Sequence, residues 1–104
     1  MMDFFRFDPR LGINIPHLVD EWEIYNKEYR EKILFQWEKI RGAIPDRIAE
    51  LENEINKKQN ELSIESNFVK SCQLNNEIAD LASVINDLWL WYRLNQDITN
   101  KSHL

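Results

Sequence analysis

The acidic pair Glu77-x-x-Asp80 is the arrangement in this chain closest to a site for chemistry. On a helix, residues three apart share a face, so two carboxylates at this spacing can hold one divalent cation between them. A second pair, His17 and Glu21, stands four apart and offers a ring nitrogen and a carboxylate. The other histidine, His103, falls in the expected tail, and two ligands fall short of a zinc site. The one cysteine, Cys72, has no partner for an internal disulfide. With Val69 and Leu74 as neighbours, it reads as a reduced, buried and inert thiol.

The Glu77-x-x-Asp80 spacing resembles half of the magnesium motif of all-α nucleotide pyrophosphohydrolases. There, Glu-x-x-Asp works with an upstream Glu-x-x-Glu. The resemblance implies a metal-dependent hydrolase using Glu77 and Asp80, which is the alternative function. The upstream counterpart here is Glu28…Glu31, far back in the chain, and no basic pocket for phosphates accompanies it. Arg41, Arg47, Lys57 and Lys58 have the spacing of ion-paired helix surface. The chain has no glycine-rich phosphate loop, no Cys-x-x-Cys, no Gly-x-Ser-x-Gly and no His-Glu-x-x-His. The expectation is a protein without catalytic residues, cofactor or resident metal, in which Glu77 and Asp80 belong to a solvated polar face.

Composition narrows the partners. The chain carries a net charge of −5 with no basic block. Nucleic-acid binding draws on clustered lysine and arginine, and peripheral membrane binding on a lysine-rich helix face, so neither partner is expected. The longest apolar run, Leu88–Tyr92, is far too short to span a bilayer, and the opening MMDFFRFDPR does not read as a signal peptide. The expected location is the cytoplasm.

The elements that position these residues should be helices. In 104 residues there are Gly 2 and Pro 3, too few turn formers for many short strands. With 43% hydrophobic and 30% charged residues, one folded domain is expected. Residues 1–14 read as an irregular segment whose Phe4, Phe5 and Phe7 fold back as a lid, with Asp8-Pro9 and Gly12 as turn signals. A first helix is expected over 16–41, opened by Pro16 with Asn14 as cap. Gly42 and Pro45 suggest a stop and a restart, or else a proline kink in one longer helix. A second helix, 45–63, carries the seam Ile44, Ile48, Leu51, Ile55, Lys58 and Leu62. A third, 67–98, carries Leu74, Ile78, Leu81, Ile85, Leu88 and Tyr92 in a different phase, followed by a frayed tail over 99–104. The phase change asks for a turn within 63–67, capped by Ser63, Ser66 or Asn67, or a local discontinuity in a continuous helix. A turn lets the two seams face each other. The expected fold class is therefore all-α: a long antiparallel helical hairpin or three-helix bundle with coiled-coil-like seams.

The last helix changes character along its length. One-sided near Ile78, it becomes apolar over most of its circumference near Leu90. Trp89, Leu90, Trp91, Leu94 and Ile98 widen the stripe beyond what one seam requires. They form the candidate interface. The function expected from it is a non-enzymatic interaction module that self-associates as a dimer or larger through the last helix, with a further protein partner as an option.

Overall fold

The computed structural model describes residues 4–94. Two strands come first, β1 (Phe5–Asp8) and β2 (Ile13–Pro16), then two long helices, α1 (Lys27–Ile64) and α2 (Phe68–Tyr92). The molecule is a rod, with extents of 60 × 23 × 21 Å.

The strands overturn the expectation of an irregular segment over 1–14. They pair antiparallel, Phe5 opposite Pro16 and Asp8 opposite Ile13. Asp8 builds the turn: its Oδ1 accepts from the amides of Arg10 at 2.9 Å and Leu11 at 3.1 Å. Gly12 closes the turn at φ 76°, a left-handed conformation that glycine adopts without a Cβ clash. Phe4 and Ile13 are buried and Phe5 packs against the core, whereas Phe7 points to solvent. The lid thus forms from part of the aromatic segment, as a β-hairpin.

Helix α1 starts eleven residues later than Pro16, because Pro16 is held in the sheet opposite Phe5. The intervening segment holds a single 3-10 turn, Trp22–Ile24. Arg30 secures it: its Nε donates to the Trp22 carbonyl at 3.1 Å, and its guanidinium lies 5.7 Å from the Trp22 ring centroid. Asn26 caps α1 by accepting from the Tyr29 amide at 2.9 Å.

Helix α1 then runs through Gly42 and Pro45 without a break, so the expected stop at 42–45 is absent. Pro45 removes one backbone donor, a loss worth about 3 kcal/mol in a helix interior. The apolar register explains why the helix continues. Ile33, Trp37, Ile44, Ile48 and Leu51 are all buried on one side of it, on both sides of the proline. Breaking the helix would move half of that stripe out of the core. The described residues therefore contain two long helices where three were expected, and the helical hairpin is the architecture they form.

The reversal lies at Glu65–Asn67, inside the predicted window. It is built without glycine, from side chains that satisfy backbone donors. Glu65 accepts from the Asn67 amide at 3.0 Å, and Asn67 caps α2 by accepting from Lys70 at 3.1 Å. The seams do face inward: Leu74 and Leu88 are buried, as are Ile44, Ile48 and Leu51 opposite. The main core lies at the base of the rod, where the β-hairpin, α1 and α2 meet around Trp37 and Leu88. Toward the tip, the helices have only each other. Helix α2 ends at Tyr92, short of the expected 98, with a turn at Arg93. Ile98 and the tail 99–104 lie outside the described residues.

Candidate interaction surface

The base of α2 carries an aromatic stack. Trp89 and Tyr92 meet edge to face with ring centroids 5.4 Å apart. The Arg41 guanidinium lies 4.6 Å from the Tyr92 centroid, and its Nε donates to the Tyr92 carbonyl at 2.7 Å. Arg41 thus does two jobs: it covers the ring, and it satisfies a carbonyl at the end of α2, where intrahelical donors run out. On the inner side, Trp91 packs edge to face on the buried Trp37, with centroids 5.7 Å apart.

The five candidate interface residues therefore separate. Trp89 and Leu90 are exposed, at 38% and 41%. Trp91 and Leu94 are half-buried and pack against the core of their own chain. Ile98 lies outside the described residues.

A second apolar surface sits at the tip of the hairpin. Ile64, Phe68 and Val69 are 85%, 79% and 75% exposed. Their sequence signal was available: all three fall off the two seams, next to the expected turn. An apolar residue off the seam beside a reversal has no other element to cover it.

The candidate metal pairs are occupied or separated. The Glu77 carboxylate accepts from Lys58 Nζ at 3.2 Å, a bridge between the two helices of the hairpin. Its neighbour Asp80 is exposed. His17 and Glu21 are exposed in the segment after β2, so the helical face that would join them does not form. Among the described residues, no group of three or more His, Cys, Asp and Glu side chains could hold a metal ion. Cys72 is exposed, a correction to the buried thiol: it lies on the outer side of α2, away from Leu74.

The arginines also do more than sequence spacing suggested. Arg47 pairs with Glu50 at 3.1 Å, as a helix-surface arginine would, but its Nε donates to the Leu11 carbonyl at 3.0 Å. Arg10 reaches from the β-hairpin to Asp87 at 2.7 Å and to Ser83 at 2.9 Å. The β-hairpin is thus tied to both helices on one flank of the rod.

Among the described residues, one carboxyl group departs from its ordinary acidity. The Asn67 amide donates to Glu65 and the Lys70 ammonium lies 3.5 Å from it, so its pKa is lowered. The hydrogen bond from Asn67 is the larger cause. Glu65 is a turn residue, and its shift reports on the fold of the tip.

No known protein family, no curated protein and no solved structure matches the chain. No helix among the described residues is long and apolar enough to cross a membrane. The functional reading accordingly rests on the surfaces of the rod.

Proposed function

We propose that the chain is a non-enzymatic helical interaction module that self-associates through α2 and serves as an adaptor, regulator or scaffold in the cytoplasm. The observation that carries this reading is the stack of Trp89, Tyr92 and Arg41 at the base of α2. Tryptophan, tyrosine and arginine are the residue types most enriched at binding hot spots. Here they are held on two packed helices, so little side-chain entropy remains to be lost on binding. The outer member, Trp89, is exposed beside Leu90.

The test is the mass of the wild-type protein in solution, repeated with magnesium. The reading expects a dimer or larger without metal, and weaker association when Trp89 is replaced by alanine. A monomer at every accessible concentration would overturn self-association. A dependence of mass or melting on magnesium would move weight to the Glu77 and Asp80 hydrolase reading.

A further inference from the structure

The β-hairpin has one open edge. The Phe4 carbonyl accepts from the His17 amide at 2.9 Å. Bonded pairs alternate along an antiparallel ladder, so the register Arg6 opposite Ile15 and Asp8 opposite Ile13 turns the backbone of Phe4, Arg6 and Asp8 toward β2. The N–H and C=O groups of Phe5 and Phe7 then point the other way. The sheet has two strands, so among the described residues no strand pairs with that side of β1. The outer edge of β2 differs, because Pro16 has no N–H to offer there and β2 packs on α1.

Arg6 stands in the middle of the open edge, between Phe5 and Phe7. It is exposed and has no hydrogen-bond or ion-pair partner for its side chain among the described residues. Asp8, on the same face of the strand, is committed to the turn through Oδ1. The opening beside Arg6 is lined by hairpin residues and His17, and by no residue of either long helix. On the other face, Phe7 is 58% exposed.

We infer that β1 adds an extended segment of another protein as a third strand, with an acidic residue of that segment opposite Arg6 and an apolar residue on either side of it. The outward amides and carbonyls of Phe5 and Phe7 supply the ladder, which is how strand addition gains its affinity. Side chains directly opposite each other on one face of a sheet interact most closely. A carboxylate there gives Arg6 the partner that its own chain does not provide. The flanking apolar residues fall on the alternate face, beside Phe5 and Phe7. A second copy of the chain is a poorer occupant. Antiparallel pairing that sets Phe5 against Phe7 also sets one Arg6 directly against the other, and like charges so placed repel. A charge on an edge strand thus rejects its own copy and selects the opposite sign. This surface is independent of the self-association through α2.

Amide hydrogen exchange on the full chain tests the inference, with two capped synthetic peptides as probes. One reads threonine-valine-glutamate-valine-threonine, and the other has lysine in place of glutamate. In the free protein, the Phe5 and Phe7 amides should exchange as unpaired backbone does. The glutamate peptide at millimolar concentration should slow both by about fivefold, by mass action on the paired state. The lysine peptide should leave them unchanged, and Arg6→Glu should invert this preference. Phe7→Pro removes an outward N–H and no bond of the hairpin, so it should abolish the slowing and retain the helical circular dichroism of the wild type. Should Phe7→Pro lose that helix signal, the inversion in Arg6→Glu carries the test alone. Equal slowing by both peptides, or slowing by neither, would overturn the inference. So would a Phe7 amide whose exchange slows with protein concentration alone, which would give the edge to a second copy.

Discussion

The indole N–H of Trp37, on α1, donates to the carbonyl oxygen of Leu94, beyond the end of α2, at 2.6 Å. The Trp37 side chain is fully buried, so one residue both fills the core and terminates the second helix. These contributions can be separated. Trp37→Phe keeps most of the ring but leaves the Leu94 carbonyl without its donor, and should lower stability by about 1–3 kcal/mol. Trp37→Ala also opens a cavity and should cost about 3–5 kcal/mol. Urea denaturation measures both. A Trp37→Phe variant as stable as the wild type would mean that the hydrogen bond contributes nothing, and equal losses in the two variants would mean that the ring adds nothing beyond it.

Gly12 is required twice over. Its φ of 76° strains any residue with a Cβ, by about 1–2 kcal/mol. A Cβ there would also lie 2.7 Å from Arg47 Nε, the atom that donates to the Leu11 carbonyl. Gly12→Ala should therefore destabilise the protein by roughly 2 kcal/mol or more and loosen the β-hairpin from α1. The same change in an Arg47→Ala background should cost only the backbone strain. A double-mutant cycle showing no coupling between positions 12 and 47 would refute the steric half of this account.

Glu65 gives the turn a dependence on acidity. Its pKa is lowered in the folded protein, so its charge contributes stability above the ordinary glutamate range. That contribution is lost as pH falls through the lowered folded value. Glu65→Gln keeps an acceptor for the Asn67 amide but loses the charge and the pairing with Lys70. The variant should melt below the wild type at neutral pH, and the gap should close on acidification. Melting curves across pH would contradict this if the gap stayed constant or widened toward acid.

The long-range outline was legible because burial has a period. Leu51 and Leu74 announce their inward sides by four-three spacing, and the phase change after Leu62 placed the turn. What escaped was short or non-local. Ile13-Asn14-Ile15 and Phe5-Arg6-Phe7 do alternate with period two, but over four-residue strands no window separates strand from loop. Pro45 looked like a stop because local propensity disfavours it, while the buried Ile44 and Ile48 on either side hold the helix together. The exposed Trp89 and the packed Trp91 are two residues apart on one helix. Only the position of Trp37, far away in sequence, decides which of them turns inward. The carbonyl contacts of Arg41 and Arg47 were equally hidden, since both residues also have an acidic neighbour three positions away.

Self-association of the rod through α2 has a direct consequence for its stability. The most direct measurement is the thermal melting of the wild-type protein, followed by helical circular dichroism over a wide range of concentration. Association that favours the folded state raises the melting temperature with concentration by mass action. The melting temperature should therefore rise with concentration, accompanied by a mass above that of one chain. A melting temperature independent of concentration, together with a monomeric mass throughout, would contradict it.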